Sequence, residues 1–287
     1  MAPVRFPAPA KVNLFLHVGP VAADGYHPLA SLVAFADIGD AVTVQPAERL
    51  SLTVTGLFGQ GLGGDDNLIL KALRALGEAT GAGDPPVAVT LDKQLPIAAG
   101  LGGGSSDAGA ALKGARDALG LSLDDEALAD IAAAVGADGP MCLHARAAWA
   151  EDRGDRLTFE PRLPPLPAIL INPGVPSPTG AVYRTYDEGR AGGADLPALP
   201  ADWNAASVID WLATLRNDLE APAVALQPAI GDVLAESARL PGVRLVRMSG
   251  SGATVFALFE TPEDAAEAAG RLTREHPDWW VRSTTLR

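Results

Sequence analysis

Gly100, Gly102, Gly103 and Gly104 fall within five positions, and Ser105, Ser106 and Asp107 follow at once. Glycine lets the backbone take positive φ and approach a ligand closely. An alanine-rich stretch comes next and predicts a helix, whose first N–H groups lack helical partners and sit at the positive end of the dipole. Together these features suit a phosphate. The candidate contacts are Pro96, Gly100, Leu101, Gly102, Gly103 and Gly104, with the hydroxyls of Ser105 and Ser106 as further donors. A flexible turn capped by serine is the plain alternative. A strand before the loop (residues 87–91) and a helix after it (residues 106–119, closed by Gly120) count against that. Two commoner nucleotide loops are excluded. The chain has no Gly-Lys pair, so the P-loop pattern fails. Ser105 stands where a dinucleotide fingerprint starting at Gly100 needs glycine. The protein-kinase signature set is absent as well.

The elements that must position this loop follow from periodicity. Residues 12–18, 32–35, 41–44 and 50–54 read as strands, with an Asp24-Gly25 turn after the first. Asp66-Asn67 opens a helix to about Leu76. Ser122 is the expected N-cap of a helix carrying Leu128, Ile131, Ala132 and Val135 on one face and ending at Gly136. Residues 147–150 read as a strand. The proline-rich stretch 160–167 marks a composition shift, and the domain boundary is placed there, giving domains 1–158 and 159–287. Beyond it come a strand (168–172), a helix start at Ser177-Pro178-Thr179 and a Gly/Ala/Pro-rich loop over 189–202. Helices near 217–224 and 229–240, strands 243–248 and 253–259 around a Ser249-Gly250-Ser251-Gly252 turn, and a helix 262–276 complete the chain.

At 287 residues, two domains and an α/β (α+β) class are expected. The formal charge of −13 opposes a nucleic-acid partner. It also means that a phosphate-bearing ligand must be held by backbone N–H groups and a few placed cations. No apolar run is long enough to span a bilayer, and the proline-broken start predicts no secretory leader. Cys142 is the only cysteine, which fits a reducing, cytoplasmic setting.

Residues 96–107 closely resemble the central ATP-binding motif of the GHMP kinases, which phosphorylate small alcohols and acids. Pro9-Ala10-Lys11-Val12-Asn13-Leu14 and Met248-Ser249-Gly250-Ser251-Gly252-Ala253-Thr254 resemble that family's first and third motifs, in the right order. Asp24-Gly25-Tyr26-His27, Asp66-Asn67-Leu68-Ile69, Gly136-Ala137-Asp138-Gly139-Pro140 and Arg216-Asn217-Asp218-Leu219-Glu220 resemble one branch of it. That branch phosphorylates a hydroxyl of an alcohol carrying a cytidine diphosphate group, on the non-mevalonate route to isoprenoids. The likeness runs nearly end to end and is weakest over 189–213. It implies a two-domain GHMP kinase, with a ribosomal-protein S5 domain-2-like N-terminal domain and a ferredoxin-like C-terminal domain. It also implies ATP with Mg²⁺, and the assembly is expected to be a monomer or homodimer.

The resemblance assigns Lys11 and Asp138 as the catalytic pair. Without it, a lysine at a strand edge and an aspartate in a Gly-rich turn would be the plainer readings. Asp138 would orient the attacking hydroxyl and accept its proton, while Lys11 offsets charge on the moving phosphoryl group. Asn13, two residues along the strand on the same face, is a candidate hydrogen-bonding partner of the substrate. Tyr26 and His27 match the family's cytidine-binding residues, and Tyr183 its second aromatic, closing the base into a sandwich. Asn67, Lys93 and Ser105 are expected on the ATP side. Asp152 and Arg153 depart from the family's usual glycine and apolar residue, as Met141-Cys142 does beyond Asp138. A kinase acting on mevalonate or homoserine is the first alternative, and it would have no use for a ring clamp. A non-catalytic nucleotide-binding protein is the second, and such proteins usually lose a catalytic residue.

Overall fold

A computed structural model describes residues 3–23, 25–189 and 192–287; Met1, Ala2 and Asp24 of the expected turn lie outside them. The chain forms two compact units, each assembled from separate stretches. The first takes the N-terminal stretch as far as Lys11, Ile38–Ile97 and Gly102–Ala145; the second takes Val12–Asp37, Ala98–Leu101 and Arg146–Arg287. These units do not coincide with a division at 158/159. Strand β1 (Val4–Val18) and strand β2 (Leu29–Pro46) are long enough for each to serve both units by halves.

In the first unit the second half of β2 pairs antiparallel with β4 (Val87–Asp92), and β3 (Ser51–Thr55) lies parallel to β4. Helix α1 (Leu68–Thr80) is capped by Asn67 and closed by Gly81 at φ 68°. Helix α2 (Gly103–Leu119) is rich in small residues for a steric reason. A Cβ at Gly109 would lie 2.9 Å from Leu143 Cα, and one at Gly114 2.4 Å from Val44 Cγ2. Helix α3 (Asp125–Val135) takes Asp124, not Ser122, as its cap, because the Asp124 carboxylate reaches Ala127 N. Helix α4 (Gly139–His144) follows. Val42, Leu73, Leu76, Leu91, Leu112 and Leu128 lie in this unit's core.

In the second unit the first half of β2 pairs antiparallel with β5 (Ala148–Asp152), which forms a hairpin with β6 (Arg156–Phe159). A second antiparallel set runs in the order β10 (Trp280–Leu286), β7 (Leu166–Asn172), β9 (Val255–Leu258), β8 (Leu245–Met248). Helices α5 (Thr179–Asp187), α6 (Ala205–Ala213), α7 (Glu220–Leu226), α8 (Pro228–Ser237) and α9 (Pro262–Glu275) complete the unit. Its core includes Leu16, Ile169, Ile171, Val182, Val233 and Phe259. Among the described residues, no helix is long and apolar enough to cross a membrane.

Two further expectations change. The strands expected at 32–35 and 41–44 are one strand, β2. Helix α2 begins at Gly103 rather than 106, so three residues of the glycine loop form its first turn. Cys142 and His144 lie on helix α4. Elements β6, β10, α4 and α6 were not anticipated.

Candidate active site

The first unit assembles its site around the start of α2. Gly102 caps the helix with φ 60° and no side-chain cap bond. The first backbone bond of the turn is Ser106 N to Gly102 O, at 2.9 Å. The N–H groups of Gly103, Gly104 and Ser105 therefore precede any helical acceptor and form a three-donor anion cradle. Lys11, on β1, lies beside this turn: a Cβ at Gly102 would be 3.1 Å from Lys11 Cβ. Lys11 Nζ lies 3.4 Å from Asp138 Oδ2, with the lysine side chain 7% exposed and the aspartate 41%. Asp138 is the N-terminal cap residue of α4. Gly139 must follow it, since a Cβ there would lie 2.2 Å from Ala132 O. The open first turn of a helix, a buried cation and a solvent-reachable carboxylate thus stand together in one unit, an arrangement that suits phosphoryl transfer.

Three of the expected ATP contacts have other duties. Lys93 is buried and donates to Asp40 Oδ2 at 2.5 Å and to Asp107 Oδ2 at 2.7 Å. Its ammonium is committed inside the protein because two carboxylates surround it. The Ser106 hydroxyl, 1% exposed, donates to Pro9 O at 2.8 Å and so ties α2 to β1. Asn67 is spent on the α1 terminus: its oxygen accepts from Ile69 N and its amide donates to Leu62 O at 2.8 Å. Ser105 is half-buried in the first turn of α2.

Cys142 is buried, with Sγ 3.8 Å from Gly102 O. Burial, reinforced by the Asp138 charge, pushes its thiol up to about 12. A thiol held so far above the pH of an assay stays protonated and unreactive. An exposed-thiol reagent at pH 8 is therefore expected to label the native protein at under about a hundredth of the rate for the urea-unfolded chain. Rapid labelling of native protein would contradict this.

In the second unit, residues 98–101 are fastened to the third motif. Thr254 N donates to Ala99 O at 3.1 Å, and Ser249 Oγ donates to Gly100 O at 2.9 Å. Gly100 takes φ +74°, and a Cβ there would lie 2.3 Å from Ser249 O. Asn217 holds the motif from behind, its amide donating to Met248 O and Gly250 O at 2.8 Å each. Glu220 accepts from Met248 N at 2.8 Å, and burial raises its carboxyl above the usual range. Arg247 is buried and donates to the carbonyls of Leu14, Leu212 and Leu215. Burial pulls its guanidinium down to about 10. None of these roles was anticipated, although Asn217 and Glu220 stand in a segment that resembles the family.

Asn13 is buried. Its amide donates to Ser31 Oγ at 2.8 Å, and its backbone N–H donates to Ser249 Oγ at 3.1 Å. Tyr26 and His27, adjacent in sequence, diverge. His27 turns inward, with Nδ1 donating to Gly19 O at 2.8 Å and Nε2 3.3 Å from Asp187 Oδ1. Its ring lies 5.0 Å from that of Tyr183, tilted by 31°. Tyr26 is 56% exposed, and the Arg153 guanidinium lies 4.2 Å from its ring centre. Tyr183 is thus placed with His27, and Tyr26 presents a separate ring backed by a cation.

The mixed α/β fold and the cradle, cation and carboxylate define a small-molecule kinase. The family model described as GHMP kinases N terminal domain matches residues 67–146, and that described as GHMP kinases C terminal matches residues 202–278. A "4-diphosphocytidyl-2-C-methyl-D-erythritol kinase" of Caulobacter vibrioides is 54% identical over 283 residues, covering 97% of this chain and 98% of the relative. One of that name from Dinoroseobacter shibae is 50% identical, covering 99% of this chain and 96% of the relative. A crystal structure of 4-(cytidine 5'-diphospho)-2C-methyl-D-erythritol kinase superposes with a TM-score of 0.79 at 36% identity, covering 99% of each chain. The chain belongs to the GHMP kinases, within the family of 4-diphosphocytidyl-2-C-methyl-D-erythritol kinases.

Proposed function

We propose that this chain transfers the γ-phosphate of ATP to the 2-hydroxyl of 4-diphosphocytidyl-2-C-methyl-D-erythritol, in the non-mevalonate route to isoprenoid precursors. The observation that carries the chemistry is the Lys11–Asp138 pair, 3.4 Å apart, in the unit that holds the open first turn of α2. The names of relatives at 54% and 50% identity support the substrate.

In this reading the N–H groups of Gly103, Gly104 and Ser105 hold phosphate oxygens, and Pro96 to Gly102 set the approach of the backbone. Asp138 orients the acceptor hydroxyl and takes its proton, while Lys11 offsets the charge of the transition state. Asn13 hydrogen-bonds the substrate. The rings of His27, Tyr183 and Tyr26 recognise cytosine, by stacking and at its polar edge. Mg²⁺ bound with ATP would supply charge neutralisation for the phosphates. Among the described residues no group of three His, Cys, Asp or Glu could hold a metal ion. The two family-model matches fall on either side of a boundary at 158/159, and we retain domains 1–158 and 159–287 as the family's two modules. A cytoplasmic location accords with the single cysteine.

The test is an ADP-release assay with the cytidylylated methylerythritol and with mevalonate, homoserine and methylerythritol lacking the nucleotide. ADP release is expected with the first acceptor alone. Equal release with an acceptor lacking the cytidine diphosphate would overturn the substrate assignment, and ATP binding without release would favour a non-catalytic protein. Tyr183→Ala is expected to raise the KM for the cytidylylated acceptor about tenfold, the size of a ring contact, with the KM for ATP unchanged. An unchanged acceptor KM would remove Tyr183 from the base site.

A further inference from the structure

Three buried charges lie behind the first turn of α2. The side chains of Lys93 and Asp107 are each 5% exposed and that of Asp40 0%. They come from three places: Asp40 from β2, Lys93 from the residue after β4, and Asp107 from α2. Asp40 is well supplied with donors. Its Oδ2 accepts from Lys93, and its Oδ1 accepts from Gln94 N at 2.5 Å and Leu95 N at 2.8 Å. Asp107 has one donor, Lys93, on Oδ2, and its buried Oδ1 has no hydrogen-bond partner. Cys142 of α4, a protonated thiol, is the further titratable group that senses Asp107.

One ammonium balances one of two carboxylates, so with both ionised the cluster carries a net negative charge away from water. It also sits against the cradle, because a Cβ at Gly103 would lie 3.0 Å from Lys93 Nζ and 3.6 Å from Asp40 Oδ2. The same turn thus faces an arriving polyphosphate on one side and a buried excess carboxylate on the other.

We propose that nucleotide binding at the first turn of α2 is coupled to the uptake of one proton by this cluster, with Asp107 as the group that takes it. The inference rests on reading residues 100–105 as the phosphate loop. A polyanion at the cradle raises the free energy of the excess negative charge behind it. A proton from solvent on Asp107 removes that excess and leaves Lys93 and Asp40 as a balanced pair. The proton goes to Asp107 because it has one donor where Asp40 has three. Burial pushes the Asp107 carboxyl up to about 7, with Lys93 pulling against it and Asp40 adding to it. The two carboxylates in turn hold the Lys93 ammonium above its ordinary value, against the pull of burial. The cluster is therefore poised near neutrality before any nucleotide arrives.

The experiment is calorimetry of ADP binding at pH 7 in buffers of different ionisation enthalpy, with the wild type and Asp107→Asn. Asparagine keeps an oxygen for Lys93 and cannot titrate, and protons exchanged by ADP itself are common to both proteins and cancel. The wild type is expected to take up more proton per ADP than the variant, by up to one, because burial holds the Asp107 carboxyl well above its ordinary value and a polyanion raises it further. Relative to the variant, wild-type affinity should also weaken as the pH rises from 7 to 9. Equal proton counts in two proteins that both bind ADP would overturn the coupling. Failure of both to bind would overturn the phosphate-loop reading instead. A measurement on the wild type alone covers a variant that does not fold: the carboxyl ¹³C resonance of Asp107 should titrate with a higher midpoint when ADP is bound. An unmoved midpoint would overturn the proposal.

Discussion

Asp138→Asn is expected to lower kcat by about a thousandfold while leaving the KM for ATP within about twofold. Asparagine matches the shape of the carboxylate and keeps an oxygen within reach of Lys11 Nζ, now 3.4 Å away. It cannot accept a proton. In the proposed site ATP is held by N–H groups of other residues, so nucleotide affinity should survive. A loss confined to turnover separates a role in the reaction from one in holding α4, since Gly139 and Pro140 form that helix start without the charge. The measurement is steady-state ADP release at saturating acceptor, alongside calorimetric ADP affinity. Turnover within tenfold of the wild type would remove Asp138 from the proton's path.

Gly100→Ala is expected to raise the KM for ATP at least tenfold and to lower Tm by about 4–8 °C. Two penalties coincide there. The backbone takes φ +74°, a region that side chains disfavour, and the added Cβ would lie 2.3 Å from Ser249 O. The contact is with backbone, so no rotamer change relieves it. The loop must shift, which strains its bonds to Ser249 and Thr254 and moves the residues leading into the cradle. Gly136→Ala is the matched control, with φ −180° and nothing within 4 Å of an added Cβ. Calorimetric melting and ATP kinetics on both variants check this, and equal behaviour would show that Gly100 bears no special constraint.

The parts legible from sequence were those whose chemistry is local. Helix α3 announced itself through acidic residues in its first turn and apolar ones at helical spacing, even though its cap proved to be Asp124. The glycine loop was legible because positive φ and close approach both demand glycine. Long-range pairing was not. Strand β2 read as two pieces because Asp37, Gly39 and Asp40 interrupt its apolar pattern, and each has a distant reason to be there. Asp37 accepts from Thr284 and from Thr285 N, Gly39 leaves room for Ala8 O, and Asp40 receives Lys93. Strand β10 carries Arg282, Ser283, Thr284 and Thr285, whose polarity hides a strand until β7 is known to lie beside it. The internal bonds of Lys93, Ser106 and Asn67 were not legible, because lysine, serine and asparagine near a glycine loop suit a nucleotide and a protein partner equally well. Which donor is already engaged depends on partners 5 to 97 positions away.

Asn217 touches backbone atoms alone in the bonds that fix the third motif. Those bonds make no use of the acceptor alcohol. The rings proposed for the nucleobase stand on other segments, at 26, 27 and 183. The bonds that hold the third motif and the rings proposed for the base can therefore be altered one without the other.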